Sequence, residues 1–165
     1  MTDTLERITT EYIDAEDRLR ISGETSAGSS MVIWITQRLL HRLVPVLLNW
    51  LEHEIPTLQA EVLQEWAQQA ARSELTEQAP VSPETASCHW LAHSIDITLS
   101  EAAIILTFKS ESNQQAALTL AATPLRQWLN IVHDAHVKAG WSMEVWPAWI
   151  GGNGAQTSPA PARLH

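Results

Sequence analysis

Five residues in two short stretches have the types and spacing of a metal or acid–base centre: Cys88, His89 and His93 in one, His133 and His136 in the other. His89 and His93 stand four apart and His133 and His136 three apart, with Asp134 inside the second pair. Either spacing puts two rings on one face of a helix. Zinc takes about four nitrogen or sulfur ligands in a tetrahedron, and the two pairs hold that many. The competing reading is that histidines on an amphipathic helix line its polar boundary and that the two pairs never meet. That reading is preferred, so neither metal nor cofactor is expected; His89, His93, His133 and His136 are the residues that would hold one. Nucleophilic catalysis by Cys88 would need an activating histidine and an orienting acid. His89 is its chain neighbour, which is poor geometry on regular structure, so an inert thiol is expected.

Other catalytic signatures are missing. The chain has no Walker A loop, no G-x-G-x-x-G opening a helix, no G-x-S-x-G and no H-E-x-x-H. The pairs Asp14/Glu16 and Glu52/Glu54 fall in turns or at helix ends, where they read as solvated surface. No catalytic residue is assigned. The formal net charge is −9, with 10 Lys and Arg against 19 Asp and Glu. Phosphate backbones and anionic membrane surfaces recruit cations, so this balance argues against both partners. Arg18, Arg20, Arg38 and Arg42 could gather into a basic patch, but Asp14, Glu16 and Asp17 stand close enough in sequence to neutralise it.

The elements that would position these residues follow from hydrophobic period. Ile8, Thr10 and Tyr12 alternate with polar neighbours, Asp14–Asp17 is a turn, and Leu19 and Ile21 resume the alternation. Met31–Ile35 suits a buried strand. Thr36 can cap a helix whose apolar positions Leu39, Leu43, Val46 and Trp50, with others between them, cover most of its circumference. A helix so apolar must be covered on more than one side, by core or by a second copy. Pro45 predicts a kink or break in it. Pro56 opens a second helix, with Leu58, Val62, Trp66 and Ala70 on one face and glutamines and glutamates opposite. The short connection predicts an antiparallel helical hairpin.

Residues 76–87 read as a linker. Beyond it Ile95–Leu99, Ala103–Phe108 and Ala116–Ala121 read as three strands. Thr123–Pro124 reads as a cap and first turn, Leu125–Ala139 as a helix, and Gly140 as its left-handed stop. Trp141, Met143 and Val145 suggest a last strand. Residues 151–165, rich in Gly, Ser, Pro and Ala, read as a disordered tail. A shift of 87 positions lays Ile8, Thr10, Tyr12, Leu19, Ile21 and Thr36 on Ile95, Ile97, Leu99, Leu106, Phe108 and Thr123. This suggests an internal repeat.

The expected class is α+β: an antiparallel sheet or sandwich from two β-β-β-α-like halves, with a helical hairpin after the first. One domain, 1–150, would hold halves 8–75 and 88–150. The single cysteine excludes an intrachain disulfide and fits a reducing compartment. The N-terminal residues lack the basic and apolar segments of a secretory signal, and Leu39–Leu51 is shorter than the roughly 20 apolar residues that span a bilayer. A soluble cytoplasmic protein is expected, with no membrane partner.

Tryptophan is over-used, with eight residues against one Phe and one Tyr. Trp141, Trp146 and Trp149 cluster around Pro147. Trp is enriched at interface hot spots, so these three are the candidate partner-binding residues, unless they dock back onto their own domain. The functional expectation is a non-catalytic protein–protein interaction or assembly protein, a homodimer with a further protein partner. Its rivals are a small-molecule-binding protein or enzyme, with a pocket lined by Trp34, Trp128 and the histidines, and a nucleic-acid-associated factor, which the charge disfavours.

Overall fold

The structure, a computed structural model, describes residues 2–53, 60–76 and 78–150. The expected helix start at Pro56, the stripe residue Leu58 and the segment 151–165 lie outside the described residues. In chain order the elements are β1 (Asp3–Ile13), β2 (Arg18–Thr25), β3 (Ser30–Ile35), α1 (Gln37–His53), α2 (Ala60–Glu74), β4 (Cys88–Leu91), β5 (Ser94–Leu99), β6 (Ala103–Lys109), β7 (Gln115–Ala121) and α3 (Ala122–Ala139). The class is α+β. Among the described residues no helix is long and apolar enough to cross a membrane.

Seven strands form one sheet in the order β4-β3-β2-β1-β7-β6-β5. Each meander, β1–β2–β3 and β5–β6–β7, is internally antiparallel. The sheet is nevertheless mixed, which corrects the antiparallel expectation. β1 pairs with β7 in parallel, Leu5 opposite Leu118, and β3 pairs with β4 in parallel, Ile33 opposite Trp90. Both parallel pairs join strands far apart in sequence, and only such long crossovers allow parallel neighbours. The sheet also curls. The Ala92 amide donates to the Trp34 carbonyl of β3 (2.9 Å), and the next amide, His93, donates to the Lys109 carbonyl of β6 (2.7 Å). β3 and β6 belong to opposite ends of the strand order, so the stretch 88–99 carries the chain from one end of the sheet to the other.

Local sequence accounts for most element ends. Thr36 Oγ1 accepts from the Leu39 amide at 3.3 Å, as a helix cap should. Its counterpart Thr123 does not cap: α3 begins two residues earlier than expected, after Ala121, with no side-chain cap. Gly140 ends α3 at φ 72°, the left-handed conformation open to a residue without Cβ. α1 continues through Pro45 rather than breaking. Pro45 lies on the exposed side, where water can reach the carbonyl that the ring leaves unpaired.

One hydrophobic cluster runs through the strands, α1, α3 and the C-terminal stretch. α1 buries Leu40, Leu43, Val44, Leu47, Leu48 and Leu51. Of the helix positions flagged from sequence, Leu43 is buried, Leu39 and Trp50 are half-buried, and Val46 is exposed. Residues 141–150 hold turns at 144–145 and 148–150 joined by irregular chain, not the expected last strand. α2 lies mainly along α3 and not along α1, so the expected hairpin partner is the wrong helix. The reason lies in which face of α2 turns inward.

Candidate functional site

α2 is amphipathic, and it is turned polar side in. Gln64 and Gln68 are each 1% exposed, whereas Val62 is 47% and Trp66 63% exposed. Ala70, one turn further along the same stripe, is exposed as well. The buried glutamines have defined work. Gln64 Nε2 donates to the Leu51 carbonyl at 2.7 Å, and its Oε1 accepts from an Arg126 guanidinium N–H at 2.6 Å. Gln68 Nε2 donates to the Arg126 carbonyl at 2.8 Å, and Gln127 Nε2 of α3 donates to the Ala71 carbonyl at 2.9 Å.

Leu51 and Ala71 sit in the last turns of α1 and α2, where helix carbonyls have no partner of their own. The glutamines therefore cap helix ends and hold a buried arginine. A buried guanidinium needs acceptors more than an apolar surface needs cover, because an unsatisfied buried donor costs about 1–3 kcal/mol, and more when it is charged. That demand turns the Gln face inward and leaves Val62, Trp66 and Ala70 facing solvent. A large aromatic side chain nearly two-thirds exposed at the centre of a regular helix belongs to a residue type enriched at interface hot spots. Apolar spacing alone gives Trp66 a core position, which the structure corrects; the signal for the reversed face is Gln64 and Gln68, spaced to reach α1 and α3 together.

The C-terminal tryptophans are packed on their own chain. Trp141 and Trp149 are buried and Trp146 is half-buried. Trp141 Nε1 and the Tyr12 hydroxyl both donate to Asp17 Oδ1, at 3.0 and 2.8 Å, and the two rings meet edge to face at 5.4 Å. The hydrogen bond to the Asp17 carboxylate, with burial and the charges of Asp17 and Asp14, pushes the Tyr12 hydroxyl up to about 12. Trp149 lies 5.6 Å from the Arg126 guanidinium, a cation–π distance.

The histidines divide. His136 of α3 is fully buried, stacked on His41 of α1 at 5.6 Å and met edge-on by Trp141 and Trp146. His136 Nδ1 lies 2.9 Å from the Val132 carbonyl, which can only accept, so the ring is held with its proton on Nδ1. Burial pushes its pKa down, and His41 and His133 add to the effect. His133 is half-buried against Trp146 at 5.1 Å. His89 and His93 are exposed and lie on β4 and just beyond it, where residues four apart stand far along an extended chain. Among the described residues no three His, Cys, Asp or Glu side chains converge on a metal position. Cys88 is half-buried on β4.

Trp128 borders an open concavity of about 640 Å³ together with Leu5–Thr10 of β1, Glu74–Thr76, Gln78–Pro80 and Ile131. Neither Trp34 nor a histidine is among its described lining, so the pocket expected from sequence is not assembled there. No protein-family model, no curated protein and no solved structure matches the chain.

Proposed function

We propose that this chain is a non-catalytic interaction or assembly protein that pairs with a second copy of itself through the outward stripe of α2. One observation carries the reading: α2 buries its glutamines and exposes Val62, Trp66 and Ala70. Antiparallel pairing of α2 with its symmetry mate suits the charges. Glu61 in the first turn then lies near Arg72 in the last turn of the other copy, whereas parallel pairing would set like charges together. About Trp66 as centre, Val62 faces the small Ala70 of the mate, which leaves room for the two indoles.

Trp66 has roughly 130 Å² to lose, worth about 3 kcal/mol per copy at about 25 cal/mol per Å². Association costs about 4–15 kcal/mol, so the pair is a reversible dimer rather than a permanent one. The two meanders, each followed by a helix, are read as one plan used twice, on the hydrophobic phase shared at a shift of 87 positions. The single half-buried cysteine fits a reducing compartment, and we assign the cytoplasm.

The test is light scattering after gel filtration over a range of loading concentrations. The wild-type mass should rise toward twice the chain mass. Trp66→Glu should weaken pairing at least about hundredfold while keeping its far-UV circular dichroism. A wild-type chain that stays monomeric to near-millimolar concentration overturns the proposal.

A further inference from the structure

A second surface, on the far side of α1, has the parts of a peptide groove. β5 pairs with β6 on one edge and has no strand on the other among the described residues. The Ser100 amide donates to the Ala103 carbonyl at 3.0 Å and the Ala103 amide donates to Ser100 Oγ at 3.1 Å, so the two residues bond to each other across the β5–β6 turn. Antiparallel ladders alternate from such a pair, so Thr98, Asp96 and Ser94 bond to β6. The amides and carbonyls of Ile95, Ile97 and Leu99 then point to the open edge. β1, the first strand of the other meander, uses its second edge to take β7 in parallel. An open row of this kind is a template for one more strand.

Beside that edge, α1 and residues 91–97 enclose two adjoining cavities of about 390 and 270 Å³, which share Leu39, Arg42 and His93. Leu39, Leu43, Ile95 and Ile97 give an apolar floor. Arg38 and Arg42, one helical turn apart, give a cationic rim, with His93 beside them. Arg7, Arg20 and Lys109 each have a carboxylate partner in this structure. Arg38 and Arg42 have none among the described residues, although the chain as a whole carries −9. His93 has Glu111 at 3.5 Å, both largely exposed.

We propose that this groove binds an extended acidic peptide, which adds as a strand to β5. Main-chain bonds to Ile95, Ile97 and Leu99 hold it in register. Every second side chain of the peptide faces α1; apolar ones among these rest on Leu39, Leu43, Ile95 and Ile97, and carboxylates among them reach Arg38 and Arg42. The surface is separate from the α2 stripe and does not depend on dimerisation.

The probe is a fluorescein-labelled glutamate–valine octapeptide, with valine and glutamate taking turns at every second position and threonine between them, followed by anisotropy. Saturable binding is expected, about tenfold weaker in Arg38→Ala and in Arg42→Ala. It should be unchanged in Trp66→Glu, which separates this proposal from the dimer. Methylating alternate backbone amides of the peptide should abolish binding, since a strand must donate. The proposal fails if the glutamate–valine peptide shows no saturable binding. It also fails if its N-methylated form or a lysine–valine peptide binds as well. Preferential capture of a single-stranded oligonucleotide by the same arginines overturns the peptide assignment.

Discussion

Replacing Gln64 by leucine probes the inward face of α2 directly. Gln64→Leu removes the donor to the Leu51 carbonyl (2.7 Å) and an acceptor for Arg126 (2.6 Å) at a residue 1% exposed. A buried carbonyl left without its donor costs about 1–3 kcal/mol, and a hydrogen bond to a charged group is worth about 1.5–3 kcal/mol. Burying the leucine side chain returns about 1 kcal/mol. The net loss is about 3 kcal/mol, or roughly 6–12 °C in Tm for a chain of this size. Gln64→Glu keeps the acceptor for Arg126 and loses only the donor, so it should cost less than the leucine variant. Trp66→Gln, melted at protein concentrations too low for pairing, should cost under about 0.5 kcal/mol, as exposed substitutions do. Urea and thermal unfolding followed by circular dichroism read all three. The reasoning is refuted if Gln64→Leu stays within about 0.5 kcal/mol of wild type while Trp66→Gln costs more than about 2 kcal/mol. That order would mean the apolar stripe faces inward.

Two further outcomes follow from the anchoring of residues 141–150. Asp17→Asn removes the charge beside the Tyr12 hydroxyl, so its pKa should fall from about 12 toward the ordinary 10; Tyr12 is the only tyrosine, so ultraviolet titration reads it cleanly, and an unmoved midpoint would remove the Asp17 contact. His136 has its pKa lowered by burial, so the unfolded chain takes up that proton first as pH falls. Stability is therefore fully present above about pH 7.5 and declines as pH drops through the ordinary histidine value of about 6.5. The slope is at most about 1.4 kcal/mol per pH unit, and the decline ends below the folded-state value. Urea midpoints at pH 7.5 and 5.5 that coincide, or a fall that persists unchanged in His136→Phe, would contradict this.

The elements that local sequence controls could be read in advance. Alternation marked β1 and β2, Thr36 marked the start of α1, and Gly140 marked the stop of α3. What escaped depends on partners distant in the chain. A stripe recurring every four residues looks the same whether it faces core or water, and only the demand of Arg126 and the Leu51 carbonyl settles which face of α2 is buried. The β1–β7 pairing joins the first strand to the last, so no turn chemistry announces it. Trp141 has the alternating neighbours of a strand residue, but Asp17 and the His136 carbonyl hold it against the end of α3. Thr123 looked like a cap because Ala121 and Ala122, which begin the helix, carry no side-chain signal.

In the proposed dimer α2 meets its own mate, apolar face to apolar face and antiparallel. Disulfide trapping in a Cys88→Ser background tests this while keeping Trp66. Val62→Cys and Ala70→Cys are made as separate chains, mixed, and oxidised mildly. A cross-linked dimer is expected from the mixture and little from either variant alone, because position 62 faces position 70 of the other copy. Cross-linking of each variant alone as readily as the mixture, or none in any sample, would contradict it.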